Sequence, residues 1–150
     1  IWNRVVVPAL TFSNAVLYLK SDILLGLELH QRSLALGAQG KTTKEAGQGD
    51  MGSASFEVRE AQSKITFEET LRNMDENKWV AKVHKYLYLK SVDTEWRKRS
   101  RKLATKYRII HTVNRQPGII RKKVREIDSS HWMQRMETKR TMEIYKNEKT

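Results

Sequence analysis

Between Asp93 and Ile110, the positions Trp96, Ser100, Leu103, Tyr107 and Ile110 follow one another at intervals of four, three, four and three residues. That spacing lines up one seam of an α-helix; a strand would alternate its faces every second residue. Asp93 or Thr94 is placed to start this helix, and Arg97, Lys98, Arg101, Lys102 and Arg108 fall off the seam. The same period recurs elsewhere. Ser21 is a candidate N-cap with Asp22 in the first turn, followed by Ile23, Leu27, His30 and Leu34 until Gly37 stops the pattern. From Ser53, residues Phe56, Val58, Ala61, Ile65, Phe67, Leu71 and Met74 predict a helix with a broad apolar face, and the charged Glu57, Arg59, Glu60, Glu68 and Glu69 between them argue against strand pairing.

Asp75 is expected to cap a further helix whose Trp79, Val80, Val83, Tyr86 and Leu87 should face a core, with Lys78, Lys82 and Lys85 around the other side. Pro117-Gly118 reads as a break, followed by the basic run Arg121-Lys122-Lys123 with Arg125. Ser129-Ser130 then caps a last helix carrying Trp132, Met136, Met142 and Tyr145. Thr42 and Glu45 have capping-box spacing, but Gly47, Gly49 and Gly52 confine that stretch to a connector. Trp2 to Leu10 fits a short helix or a buried strand equally, with Pro8 against a long helix. These segments predict an all-α fold: about five or six helices in an irregular bundle, with a basic, less ordered C-terminal part.

The 150 residues suit one structural unit, and 39% hydrophobic residues, with four Trp and five Tyr, supply a modest core. Lys and Arg number 29 against 17 Asp and Glu, a net +12 that favours a polyanionic partner. The excess is uneven. Residues 1–75 hold 8 basic and 9 acidic side chains, whereas residues 76–150 hold 21 and 8. We therefore divide the chain into a helical packing region, 1–75, and a basic helical extension, 76–150. With no Cys there is no disulfide, thiolate nucleophile or cysteine-containing zinc site in these residues. Apolar runs fall far short of the roughly 20 residues a membrane-crossing helix needs. The opening Ile-Trp-Asn-Arg has no signal-peptide character and reads as an excerpt from a longer protein.

No residues are expected to be catalytic or to hold a metal or cofactor. Asp22, Asp50, Asp75, Asp93 and Asp128 are scattered in cap and turn contexts, unlike the converging carboxylates of two-metal nucleotidyl transfer. His30, His84, His111 and His131 lack ligand spacing. His30 reads as a core-edge residue, and His84 and His131 have neighbours that allow a phosphate contact. Gly47-Gln48-Gly49-Asp50-Met51-Gly52 lacks the Lys-Ser/Thr of a phosphate loop. The positive signal is the interleaving of bases and aromatics from Trp79 to Tyr107, densest at Trp96-Arg97-Lys98-Arg99-Ser100-Arg101-Lys102. Cations gathered on a helix can neutralise phosphates and release counterions. We take Arg97, Lys98, Arg101, Lys102, Arg121, Lys122 and Lys123 as candidate contacts to an RNA or DNA backbone, without sequence readout. Trp96, on the seam, should be a core anchor. Docking on a membrane surface would need a bulky apolar face left exposed, and here that face is expected to serve the core.

The succession Trp2-Asn3, Val7-Pro8-Ala9-Leu10-Thr11-Phe12, Leu27-Glu28, Gln31-Arg32 and Leu34-Ala35-Leu36-Gly37 resembles the segment behind the palm domain of non-LTR (LINE-type) retrotransposon reverse transcriptases. Through Glu45-Ala46, Gly49-Asp50-Met51-Gly52, Phe56-Glu57, Arg59-Glu60-Ala61 and Ser63-Lys64-Ile65 it is similar to copies abundant in tick genomes, the tick transposons. The similarity continues through Trp79, Lys85-Tyr86, Trp96, Lys106-Tyr107, Val124-Arg125-Glu126, Trp132 and Tyr145. The resemblance implies a thumb-like region and following linker of an RNA-directed DNA polymerase, whose metal-binding aspartates and polymerase domain lie upstream. It implies a nuclear or cytoplasmic protein that holds template and primer. Two positions depart from it: Ser53, where those copies have a bulky aromatic, and Arg108, where they have Gly after the Tyr. Competing expectations are a helical protein-interaction module with an acidic partner, and a decayed open reading frame without activity.

Overall fold

The computed structural model describes residues 4–5, 7–36, 45, 48–49, 52, 54–109 and 116–139. Among them lie six helices and no strand: α1 (Val7–Thr11), α2 (Ser21–Leu36), α3 (Phe56–Arg72), α4 (Trp79–Leu89), α5 (Glu95–Lys106) and α6 (Pro117–Thr138). The chain is all-α, as the helical spacings predict. The expectations placed on Gly37, Thr42, Gly47, Ser53, Ile110, Met142 and Tyr145, and those for an ill-ordered end beyond residue 139, fall outside the described residues.

The helices divide into two compact units that cut across the charge boundary near residue 75. Unit 1 is Ile1–Tyr18 with Arg59–Val124, and unit 2 is Leu19–Val58 with Arg125–Thr150. Charge sorts by unit more sharply than by sequence half. Unit 1 holds 19 Lys and Arg against 7 Asp and Glu, the whole net +12, while unit 2 holds 10 of each.

In unit 1, α5 forms as its spacing dictates. Thr94 is the N-cap, its side chain accepting a hydrogen bond from the Arg97 amide, and Ser100, Leu103 and Tyr107 are buried. The helix ends in a Schellman motif: the Arg108 amide donates to Thr105 O and the Ile109 amide to Ala104 O, with Arg108 left-handed at φ 49°. Ser91, at φ 52°, ends α4 the same way, with the Val92 amide donating to Leu87 O.

Three elements, α4, α2 and α6, differ from expectation. Asp75 does not cap α4; its carboxylate accepts from the Asn77 amide within a turn, and the N-cap is Lys78, without a side-chain bond. The face of α4 is also reversed. Ala81 is its buried residue, whereas Trp79, Val80, Val83 and Tyr86, the side expected to face the core, are exposed. A small residue lets a helix approach its neighbour closely, and an apolar face predicts only that something covers it, without requiring that this chain supply the cover.

In unit 2, the buried seam of α2 is Leu24, Glu28 and Gln31, one position on from the Ile23, Leu27, His30 seam, and both Ile23 and His30 are exposed. Leucines lie all round this helix, so its pattern does not select a face. Ser55 caps α3 by accepting from the Val58 amide. Ser129-Ser130 starts no helix. Helix α6 begins at Pro117, where a fixed φ suits the first turn, and runs through both serines, with Ser130 Oγ donating to Glu126 O.

Candidate nucleic-acid interface

The candidate cations on α5 occupy its outward side because the seam fixes the opposite side inward. Lys98, Arg101 and Lys102 are exposed, while Ser100, Leu103 and Ala104 are buried. Ser100 is tolerated in that seam because its hydroxyl donates to Glu68 Oε2 at 2.5 Å, and Glu68 also accepts from Arg72 at 2.9 Å. Lys98 pairs with Glu95 at 2.8 Å, and Arg101 pairs with Asp93. The hydrogen bond and the charge of Glu95 raise the Lys98 ammonium above the ordinary lysine value, so it stays cationic. About half of each side chain in both pairs is in water. Pairs so exposed are screened and hold their partners weakly, which leaves the cations available to a phosphate. Lys102 has no partner among the described residues.

Arg97 stands apart. Its Nη1 donates to Leu87 O at 2.9 Å and Val92 O at 2.8 Å, and its guanidinium lies 5.4 Å from the centre of the Tyr88 ring. Those bonds satisfy carbonyls at the end of α4 and pin the connection to α5. Arg97 is therefore a fastening between helices. Arg99, in the same basic run, is likewise committed: Nη2 and Nε donate to the Glu60 carboxylate at 2.7 and 3.1 Å, with Glu60 fully buried.

Arg121, Lys122 and Lys123 lie in the first turns of α6, between buried Ile120 and Val124. Consecutive residues on a helix diverge by about 100° each, so the run fans around α6. Arg121 and Lys122 are exposed and Lys123 is partly covered. The Arg121 carbonyl accepts from Gln62 Nε2 at 3.2 Å, and its side chain has no partner among the described residues.

Beneath α5 lies a charged core that is not evident in the sequence. Lys64 is fully buried; its Nζ donates to Asn14 O at 2.8 Å and to Leu17 O, and it stands 3.8 Å from Glu60. Burial pushes the Lys64 ammonium below the ordinary lysine value; Glu60 opposes that shift and Arg99 adds to it. Trp96 Nε1 donates to Ala15 O at 2.8 Å, and its ring meets Phe67 edge-on at 6.4 Å between centres. Carbonyls 14, 15 and 17 of the turn after α1 are thus gathered by Lys64 and Trp96. The available sequence signal was the four-residue spacing Glu60, Lys64, Glu68 along α3, which repeats like a core seam.

His84 is partly buried, and burial pushes its imidazole below the ordinary histidine value; Glu68 opposes this, while Arg72 and Arg97 add to it. The ring is neutral at pH 7 and a poor phosphate ligand. A cleft of about 610 Å³ beside it is lined by residues including Arg72, Lys82, Lys85 and Tyr88. Among the described residues no group of three or more His, Asp or Glu could hold a metal ion, and no helix is long and apolar enough to cross a membrane. No family model, curated protein or solved structure matches the chain.

Proposed function

We propose that the chain is a non-catalytic nucleic-acid grip, the thumb-like and linker region of a non-LTR retrotransposon reverse transcriptase, holding the template and primer backbone without reading sequence. The observation that carries the proposal is the segregation of charge: unit 1 has the entire net +12, and its α5 turns Lys98, Arg101 and Lys102 to solvent. Arg121 adds an exposed cation on α6, with Lys122 and Lys123 directed to other sides of that helix, and Arg97 serves the fold instead. Arg108 remains a departure from the similar copies. It occupies the left-handed position after α5, where glycine is favoured, and the similar copies carry Gly there. On this proposal the polymerase domain and its catalytic aspartates belong to an upstream part of the protein.

The test is the salt dependence of binding to a duplex of arbitrary sequence. Each phosphate contact contributes about 0.9 to the slope of log affinity against log salt. The triple variant Lys98→Gln, Arg101→Gln, Lys102→Gln should therefore lose affinity and flatten that slope by roughly 2 to 3. An unchanged slope, or binding by an acidic protein that generic duplex does not displace at physiological salt, would instead favour a protein-interaction module.

A further inference from the structure

Among the described residues nothing covers the apolar face of helix α4. Trp79 is 77% exposed and Tyr86 59%, and Val80 and Val83 are open beside them. Trp79, Val83 and Tyr86 are spaced i, i+4, i+7, so they form one stripe. The helix contains no acidic residue. Lys78, Lys82 and Lys90 are exposed around the stripe, with no ion-pair partner among the described residues, unlike Lys98 and Arg101 on α5.

We infer that this face takes an unpaired segment of nucleic acid, with bases stacking on Trp79 and Tyr86 and phosphates received by Lys78, Lys82 and Lys90. The inference rests on the proposal that unit 1 binds nucleic acid, and it adds a single-stranded substrate and a second surface to it. Three features favour that occupant. The charges on the helix itself are all positive, with Glu76 pairing only Lys85 from outside it, which suits a polyanion. Trp79 and Tyr86 are seven residues apart, about 10 Å along the helix, whereas stacked bases in one strand of a duplex are about 3.4 Å apart. Each ring can stack only on a base face that the neighbouring bases leave uncovered, which an unpaired strand with splayed bases allows and a duplex does not. Finally, the cations interleave with the stripe: Lys90 follows Trp79 by three helical turns and so shares its side. A helix that buries its apolar face in lipid keeps such charges on the opposite face.

The experiment measures binding of the full chain to a single-stranded oligonucleotide, to the matching duplex, and to vesicles containing anionic lipid. The variants are Trp79→Phe, Trp79→Leu and Trp79→Leu with Tyr86→Leu, all at exposed positions. Replacing a stacking ring costs about tenfold or more in single-strand affinity. Trp79→Leu should show that loss, the double variant should deepen it, and Trp79→Phe, which keeps a ring, should retain most of the affinity; duplex binding should be unchanged throughout. Equal losses on duplex, full single-strand affinity in the double variant, or leucine substituting as well as phenylalanine would overturn the inference while leaving the α5 grip standing. Vesicle binding abolished by the double variant with single-strand binding intact would give the face to a membrane and overturn it as well. Wild-type protein that binds neither nucleic acid would remove both proposals.

Discussion

Replacing Lys64 by Met tests whether the buried charges hold unit 1 together. Methionine matches the length of the lysine stem and keeps the apolar contacts, so the change removes chiefly the ammonium and its bonds to Asn14 O and Leu17 O. A hydrogen bond from a charged donor contributes about 1.5 to 3 kcal/mol, and two are lost. Against that, the variant no longer has to desolvate an ammonium, which offsets part of the loss. Glu60 is not orphaned, since Arg99 still contacts both of its oxygens. The expected net loss is therefore about 2 to 3 kcal/mol, at or below the range of about 3 to 5 for breaking a buried pair outright. With urea m-values of about 1 to 3 kcal/mol per molar, the unfolding midpoint followed by circular dichroism should fall by about 1 M. Hydrogen exchange of the turn at residues 12–17 should accelerate with it. A variant as stable as the wild type, or more so, would mean that desolvation outweighs the bonds and that the network is a cost the fold carries.

Two further changes follow from single positions. Arg108→Gly relieves a left-handed residue at the end of α5 and should raise stability by up to about 1 kcal/mol, the left-handed penalty less the flexibility that glycine adds to the unfolded chain; a lower thermal midpoint would contradict the Schellman assignment. In unit 2, burial alone would raise the Glu45 carboxyl, but the hydrogen bond from Lys139 at 2.6 Å and the charges of Lys139 and Arg135 prevail and hold it below the ordinary carboxylate value. Its stabilisation is therefore complete above about pH 4.5 and lost as pH falls through the depressed value. Glu45→Gln should be less stable than wild type at pH 7, and the gap should close on acidification; a constant gap would show that the carboxylate charge is not what matters.

The part of the fold legible in the sequence was the part where pattern and packing coincide. Thr94, Ser100, Leu103 and Tyr107 took their expected places because one face of α5 alone is apolar enough to be buried. In α2 the leucines surround the helix, and its buried seam joins Leu24 to the polar Glu28 and Gln31. Burial of polar side chains is not something an apolar spacing encodes. Lys64 is the same case in stronger form. A lysine between Glu60 and Glu68 reads as a solvated helix face until the carbonyls of a turn some 50 positions earlier in the chain are brought to it.

For the interface, the difficulty is that a count of basic residues does not measure available charge. The densest run, residues 97–102, spends Arg97 on backbone carbonyls and Arg99 on Glu60, and it shares Lys98 and Arg101 with carboxylates at the surface. The thinner series Lys78, Lys82 and Lys90 keeps its charges unpaired among the described residues, beside exposed rings. A phosphate approaching Lys98 or Arg101 must displace a carboxylate, whereas one approaching Lys78, Lys82 or Lys90 displaces only water and counterions. If both helices bind, affinity at α4 should depend on salt through counterion release alone. At α5 binding must also break the pairs that Lys98 and Arg101 make with Glu95 and Asp93.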